Sequence, residues 1–412
     1  MIKSTDQNSN RRVVVTGLGV ISSLGIGWQE FWKNIMAGKS GISPVTAFDT
    51  SSHSCHIGGE VKDFHPEDFM RRQKAEKIGR ASQLAIAASK LAMDDAKMNH
   101  RTLSKHTTAV MIGTTAGESN ILERFDDLKM DAHCLSVDNK YFLGFPVNGL
   151  SGNVSLELNL NGENSVFTNA CASGSYAVGY AADLIRLGRV DFALSGGAEA
   201  FSRTVYSGFC RLLNVATDKC RPFDKNRTGM VPGEGAGMVF LETLEGALKR
   251  KAPIYAEVLD YGMSCNAGNM TEPSVDGICK AMRKALQASA VDISDVDYIS
   301  AHGTGTKVND RAECAAVYRV FGKRAGEIPM SSIKSMLGHT MGASAALETI
   351  ACCLAIKNSE LPPTINYETK DPECDIDCVP NKGRKHKIKI VLNNSQAFGG
   401  NNTCLTFKKQ AI

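Results

Sequence analysis

Short apolar runs rich in β-branched residues alternate along the chain with longer stretches in which apolar residues recur at helical spacing. In the first part of the chain, the short runs predict strands over residues 12–16, 108–112, 165–168, 192–195 and 237–242. The longer stretches predict helices over residues 81–98, 172–187 and 243–249. We expect the first strand to end in a turn at Gly17 and Gly19, because glycine often marks turns.

The same alternation is repeated in the second part of the chain. Strands are predicted over residues 254–263, 297–301, 387–393 and 403–408, and helices over residues 279–290, 312–321 and 343–357. Strands that alternate with helices are typical of parallel sheets covered by helices, so the sequence predicts the α/β class. The repetition indicates two similar α/β halves, residues 1–252 and 253–412. No proline-rich or serine-rich linker separates them, so we expect them to pack as one body.

Composition narrows the possible functions. The 412 residues include 47 Lys and Arg against 43 Asp and Glu, a formal net charge of +4, which argues against a dedicated nucleic-acid binder. No apolar run approaches the roughly 20 residues of a membrane span, and the start does not resemble a signal peptide. We therefore expect a cytoplasmic protein with no membrane partner. The 13 cysteines form no CxxC pair, which favours reduced thiols and no metal site.

The segment of residues 168–174 carries the first candidate chemistry. A predicted strand ends there, small residues follow, and Cys171 lies where the next helix is predicted to begin. A helix N-terminus favours negative charge, so the pKa of this thiol can fall towards about 7 and make it a nucleophile. The alternative is an inert cysteine in a tight packing turn, and the segment alone favours neither.

Three further segments place polar groups after predicted strands. His302 lies at the end of one predicted strand. Lys334 and His339 follow another, and Glu348 lies further along the chain as a partner for the lysine. Residues 394–401 supply glycines beside a third strand. Ligands bind at the carboxyl ends of strands in α/β sheets, so we expect one shared site. A cysteine, two histidines and a lysine fit thioester exchange followed by carbon–carbon bond formation, in which two imidazoles donate to an enolate. Hydrolysis would need only one histidine.

These segments resemble the β-ketoacyl synthases of the thiolase-like superfamily. The matching positions are the Cys-His-His triad, the associated lysine and the central signatures of the family, namely Cys171, His302, His339, Lys334 and residues 221–224 and 233–237. The resemblance extends from Arg11 to Lys408. It implies a thiolase-like fold with two halves layered as α-β-α-β-α, and a condensing acyltransferase. Initiating synthases carry Asn at the position of His339 and thiolases carry a second cysteine, so both are disfavoured.

The resemblance also implies a role for each site residue. Cys171 would carry the acyl group, His302 and His339 would stabilise the enolate of a malonyl group, and the N–H groups of Cys171 and Phe398 would form the oxyanion hole. The residues that would bind substrate are Thr304, Thr306, Phe398 and Gly399. The supporting pair would be Lys334 and Glu348. No metal or redox cofactor is implied, because the phosphopantetheine arm arrives on an acyl carrier protein.

Two branches of the family compete. Residues 302–311, 332–336 and 371–377 are similar to the ketosynthase alpha subunit of bacterial type II polyketide synthases, which build aromatic polyketides. Gln396 also stands where fatty-acid enzymes carry an aromatic residue. The alternative is an elongating synthase II of fatty-acid or polyene synthesis, which residues 170–172 resemble more closely. The polyketide branch implies a heterodimer with a chain-length-factor subunit, and the fatty-acid branch implies a homodimer.

Two contact surfaces follow from this resemblance. We expect the subunits to pair through an edge strand at residues 190–195. Acyl carriers are acidic, so we expect docking on a basic helical face made of Arg71, Arg72, Lys74 and Lys77.

A chain-length partner keeps the fold but loses the nucleophile, and the presence of Cys171 argues against that identity for this chain.

Overall fold

The computed structural model describes residues 11–132 and 143–410 of the chain. Its strands are β1 (Val13–Ser22), β2 (Gly25–Ile26), β3 (Ser43–Pro44), β4 (Ile57–Gly58), β5 (Thr108–Gly113), β6 (Asn164–Phe167), β7 (Phe192–Glu199), β8 (Gly235–Thr243), β9 (Ala256–Cys265), β10 (Tyr298–Ser300), β11 (Met330–Ser331), β12 (Glu360–Leu361), β13 (Arg384–Lys385), β14 (Ile390–Gln396) and β15 (Asn401–Lys408). Its helices are α1 (Trp28–Met36), α2 (Arg80–Asp95), α3 (His100–Leu103), α4 (Ser119–Ala132), α5 (Gly149–Leu158), α6 (Ser173–Arg186), α7 (Arg203–Arg211), α8 (Leu244–Lys249), α9 (Val275–Ala288), α10 (Lys307–Phe321), α11 (Lys334–Leu337) and α12 (Ser344–Asn358).

The two halves of the chain share one strand topology. The main sheet has the order β11-β10-β14-β15-β9-β1-β8-β7-β5-β6, with β2 beside β1. When the five strands of each half are numbered in chain order, both halves read 3-2-4-5-1 across the sheet. The prediction of two similar α/β halves is therefore confirmed. The boundary predicted between residues 252 and 253 falls in the connection between α8 and β9.

The sheets are mixed rather than parallel, which corrects the sequence prediction. In each half the first four strands run the same way, and the fifth strand, β8 or β15, is antiparallel to both of its neighbours. For β15 the reason is the length of the connection. Only residues 397–400 separate it from β14, too few for a crossover helix, so the two strands form a hairpin.

Helices occupy three layers around the strands. The side chains of α12 are buried from Ser344 to Ile356, and this helix packs against strands of both halves and against α6. Outside the sheets, α2 packs on β1 and β8, and α9 packs on β9 and β15. This is the α-β-α-β-α layering that the resemblance implies. None of the helices in the described ranges is both long and apolar enough to span a membrane.

The two five-stranded sheets are joined edge to edge by hydrogen bonds. Val13, Val14 and Val15 of β1 pair with residues 256–258 of β9. The ladder therefore runs without interruption from β11 to β6, and no element of the sequence pattern predicted this join.

β1 continues through the glycines that were predicted to form a turn. The strand runs to Ser22. Both glycines face α2 at very short range. A Cβ atom built on Gly17 would lie 2.0 Å from the carbonyl oxygen of Ala92, and one on Gly19 would lie 1.8 Å from that of Ala88. The glycines therefore allow a helix backbone to approach a strand backbone, and they do not mark a turn.

The predicted pairing of subunits through residues 190–195 is also wrong. Those residues run into β7, which is an interior strand hydrogen-bonded along its length to β8 and paired on its other side with β5. The free edges of the described main sheet are β6 and β11. β6 is the edge strand of the N-terminal half, and it takes the place of residues 190–195 as the candidate contact.

Replacement of Gly19 by alanine tests the close approach of α2 to β1. We expect Gly19→Ala to lower stability by about 1–3 kcal/mol, since the new methyl group overlaps the carbonyl of Ala88. Thermal unfolding measures the change. The matched control is Gly152→Ala in α5, where a Cβ has no neighbour within 4 Å and alanine favours the helix. Equal melting temperatures for the two variants would contradict the packing argument.

Candidate active site

Three reactive side chains from distant segments meet in the interior. The Sγ atom of Cys171 and a ring nitrogen from each of His302 and His339 all lie within 4.8 Å of one another. The two imidazole rings are 5.4 Å apart and nearly perpendicular. Cys171 lies in the short turn Ala170–Ala172 between β6 and α6, whereas His302 follows β10 and His339 follows α11. All three are buried.

Lys334 fixes the orientation of His302. Its ammonium donates to the carbonyl oxygen of His302 at 2.7 Å, to Nδ1 of the same residue at 3.4 Å, and to the carboxylate of Glu348. An ammonium can only donate, so Nδ1 of His302 accepts and the ring proton lies on Nε2. Burial, and then the charge of Lys334, hold the pKa of His302 well below its usual value. The ring is therefore neutral and presents an N–H donor to the cavity.

His339 is held in the same tautomer by its own turn. The backbone N–H of Met341 donates to its Nδ1 at 3.1 Å, and the Ser344 hydroxyl lies 2.8 Å from the same nitrogen. The proton is thus on Nε2. Burial and the charge of Lys334 hold the pKa of His339 well below its usual value. Two neutral imidazoles therefore offer two N–H donors, an arrangement suited to a developing oxyanion.

The thiol of Cys171 does not have the lowered pKa that its position before a helix predicted. Burial raises its pKa to about 12, with the charge of Lys334 acting in the opposite direction. The expectation from the helix N-terminus is wrong because removal from water disfavours the thiolate more than nearby positive charge stabilises it. The resting group is a thiol, so the thiolate has to form during the transfer reaction itself.

Lys334 and Glu348 are a fully buried ion pair behind the histidines. The structure brings them together as the sequence suggested, with Glu348 on the central helix α12. Burial raises the pKa of Glu348 to about 7, although Lys334 opposes the shift. The carboxylate therefore titrates in the neutral range, and its ionised form is what anchors the ammonium of Lys334.

A cavity of about 390 Å³ opens onto Cys171 and both histidines. The hydroxyl groups of Thr304 and Thr306 line it and lie 2.9 Å apart. Phe398 also lines the cavity, and its ring packs 5.8 Å from that of Phe209. Gly399, predicted to bind substrate, is not part of the wall, because its N–H donates to the carbonyl of Met270 at 2.8 Å. Its neighbour Gly400 takes that place.

Two buried carboxylates that the sequence analysis missed shape the loop after His302. Glu313 accepts the N–H groups of His302 and Gly303, each at 2.9 Å. Asp310 accepts those of Thr304 and Gly305 at 3.1 and 3.3 Å. The available signal was two acidic residues that follow a glycine-rich loop, Glu313 inside the predicted helix of residues 312–321 and Asp310 just before it. The loop backbone is therefore held by side chains of α10.

The remaining support for this loop is a buried arginine, also missed. Arg227 donates to the carbonyl oxygens of Thr306 at 3.3 Å and Lys307 at 3.2 Å, and it pairs with Asp371. Its guanidinium also lies 3.6 Å from Asp310. A buried arginine is expected only where carboxylates and carbonyls surround it, and no spacing along the chain reveals those partners.

The cluster of Cys171, His302 and His339 has the residue types of a metal site. Its electrostatics favour an anion instead. Both rings turn Nε2–H donors, not lone pairs, towards the cavity, and the ammonium of Lys334 lies 3.4 Å from Nδ1 of His302. A cation would have to overcome that charge and displace two protons.

Comparison with known proteins identifies the family. The model of the β-ketoacyl synthase N-terminal domain matches residues 10–247, and that of the C-terminal domain matches residues 255–368. A 3-oxoacyl-[acyl-carrier-protein] synthase 2 from Synechocystis sp. is 40% identical over 97% of this chain and 98% of its own length.

Solved structures agree with this. The ishigamide ketosynthase/chain length factor is 43% identical with a TM-score of 0.95, covering 97% of this chain and 100% of that one. A type II polyketide ketosynthase solved with its acyl-carrier protein and bound to the hexaketide, AntDE:AntF, is 31% identical with a TM-score of 0.89, again over 97% and 100%. The chain belongs to the β-ketoacyl synthase family and has its thiolase-like fold. It is a ketosynthase, an acyltransferase-type enzyme that condenses malonyl-ACP.

The pH dependence of condensation should report Glu348 and not the histidines. Both imidazoles are already neutral and gain protons only well below pH 6.5, whereas Glu348, with a pKa raised to about 7, is protonated as the pH falls through neutrality. We expect activity to fall below pH 7 in the native protein. In Glu348→Gln this acid limb should be absent, with a lower rate throughout. A limb near pH 6.5 that survives in Glu348→Gln would mean that a histidine titrates normally.

Proposed function

We propose that this ketosynthase elongates a Cys171-bound acyl chain with malonyl units delivered by an acyl carrier protein, in the synthesis of a type II polyketide. The observation that supports the reaction is the meeting of one buried thiol with two neutral Nε2–H donors in a single cavity. The pathway is supported by the sequence of residues 302–311 and by the likeness to the ishigamide ketosynthase/chain length factor and to a type II polyketide ketosynthase.

The first step is transfer of the acyl group to the enzyme. Sγ of Cys171 attacks the thioester carbonyl, the bond between that carbon and the pantetheine sulfur breaks, and the thiol proton leaves with the pantetheine thiol. The N–H groups of Cys171 and Phe398 hold the oxyanion. Thr304 and Thr306 contact the pantetheine arm along the cavity wall.

The second step is condensation. A malonyl thioester places its carbonyl oxygen between Nε2–H of His302 and Nε2–H of His339. As the carboxylate leaves as carbon dioxide, its electron pair forms an enolate that these donors stabilise. The enolate carbon attacks the thioester on Cys171, the carbon–Sγ bond breaks, and the released thiolate takes up a proton from water. Lys334 keeps His302 in the donor tautomer throughout.

The carrier protein is the partner that brings both thioesters. Arg71, Arg72, Lys74 and Lys77 are exposed, as docking of an acidic carrier requires. They do not form the predicted helical face. Arg71, Arg72 and Lys74 lie in the loop between the short turns Pro66–Asp68 and Ala75–Lys77, and Lys77 ends the second turn. Glu157 fixes the loop by accepting the backbone N–H groups of Arg71 and Arg72. We propose this basic loop as the carrier-docking surface.

For the second subunit we propose a synthase-like chain that lacks the nucleophile and pairs along the free edge of β6. The likeness to a ketosynthase/chain length factor supports this arrangement. The second candidate is a homodimer that elongates fatty acids, which the 40% identity to a 3-oxoacyl-[acyl-carrier-protein] synthase 2 favours. In both arrangements the edge strand that is open in this chain gains a partner.

Loss of the nucleophile tests the covalent mechanism. We expect Cys171→Ala to abolish elongation, by roughly 10³-fold or more, while carrier binding survives. Cys171→Gln should retain malonyl decarboxylation, because both imidazole donors remain. Intact-protein mass spectrometry measures the acyl adduct and headspace analysis measures carbon dioxide. The control is Cys265→Ala, which removes an exposed cysteine and should still form the acyl adduct on Cys171. An acyl adduct on Cys171→Ala would contradict the assignment.

Expression with and without a second subunit separates the two pathways. We expect the chain alone to elongate poorly, and co-expression with a synthase-like chain that lacks the cysteine to give a one-to-one complex that makes poly-β-keto chains. Light scattering gives the subunit ratio and mass spectrometry gives the carrier-bound products. If the chain alone is a homodimer that efficiently elongates saturated acyl carriers, the fatty-acid pathway is the correct one.

A further inference from the structure

Gln396 places a polar side chain beside the reacting groups. It is the last residue of β14 and lines the same cavity as Cys171 and both histidines. Only 4% of its surface is exposed. Strand alternation puts Gln396 and Asn394 on the same face of β14, where both approach Glu313 of α10. The residue is therefore a fixed part of the inner wall.

Only one of the two polar atoms of the Gln396 amide has a hydrogen-bond partner among the described residues. Its Nε2 atom lies 3.4 Å from Oε1 of Glu313, whereas its Oε1 atom is buried and has no hydrogen-bond partner among the described residues. Glu313 also accepts the N–H groups of His302 and Gly303, so its oxygens already act as acceptors. This network sets the direction of the amide. The NH₂ group points towards Glu313, and the amide oxygen is left without a hydrogen-bond partner.

A buried acceptor without a partner is unfavourable, and it is expected to gain one when a ligand arrives. The terminal torsion of a glutamine has a broad energy minimum, so a small rotation that keeps the NH₂ group near Glu313 aims the amide oxygen at a ligand in the cavity. A hydroxyl group would satisfy it. A methylene group of a saturated chain would leave it unpaired beside the reacting thioester.

We propose that Gln396 selects acyl chains that carry an oxygen function next to the thioester, either a β-hydroxyl group or the enol form of a β-keto group, over saturated chains. The inference rests on the proposed function, because it concerns the acyl group transferred to Cys171. It names the substrate class that this cavity accepts. A site that hydrogen-bonds a substrate hydroxyl rejects the analogue that lacks it.

The test compares two soluble probes, 3-hydroxyoctanoyl-pantetheine and octanoyl-pantetheine, as acyl donors to Cys171. Both deliver the same arm, and in both the pantetheine thiol leaves as the Sγ–carbon bond forms. Rate constants come from the mass increase of the protein. We expect the native protein to prefer the hydroxylated donor by about tenfold, with one enantiomer favoured, and Gln396→Met to reduce the ratio to about one. The ratio does not depend on the fraction of active protein.

Asn394→Leu is the matched control, since Asn394 approaches the same Glu313 carboxylate and also has a buried unpartnered oxygen, yet does not line the cavity. Its ratio should equal that of the native protein. Gln396→Leu replaces the methionine variant if the latter does not fold. A native ratio of one or below, an unchanged ratio in both Gln396 variants, or an equal shift in Asn394→Leu would overturn the inference. Failure of both donors to acylate Cys171 would instead overturn the proposed function.

Discussion

The buried ammonium of Lys334 is the group on which the geometry of the site depends. Its three donors go to Glu348 and to two atoms of His302, so a single charge sets the position, the tautomer and the neutrality of the imidazole next to it. Taking an ion pair out of water is costly, and a buried pair contributes little net stability. The role of the Lys334–Glu348 pair here is to orient His302. Without the carboxylate on α12 the ammonium would have no anchor, and without the ammonium His302 would be free to present a lone pair instead of a proton.

Much of the fold and of the site could be predicted from the sequence, because the signals were local. Strands and helices followed from periodicity, and the segments around Cys171, His302 and His339 could be identified because each combines a strand end with small or polar neighbours. The predictions that failed were those that depend on the three-dimensional surroundings of a residue. The pKa of Cys171 follows from its burial, and the role of Gly19 follows from contact with α2 at Ala88, which lies 69 residues further along the chain. Neither can be read from neighbours in sequence.

The similarity of the two halves shows how the chemistry is divided between them. The turn Ala170–Ala172 before α6 corresponds to the turn Met341–Ala343 before α12, and each begins with a residue of positive φ. Cys171 then corresponds to Gly342. A Cβ atom on Gly342 would lie 2.4 Å from the backbone of Thr114, so the second half has no room for a nucleophile there. It contributes the proton donors, and the first half contributes the thiol.

The hydrogen bonds between β1 and β9 have a consequence for how the molecule folds. Because the ladder continues from one half to the other, and because α12 buries nearly all of its surface between them, neither half can complete its core alone. The chain should behave as a single cooperative unit in spite of its repeated architecture. A substitution far from Cys171 in the second half therefore weakens the first half as well, even though only the first half carries the nucleophile.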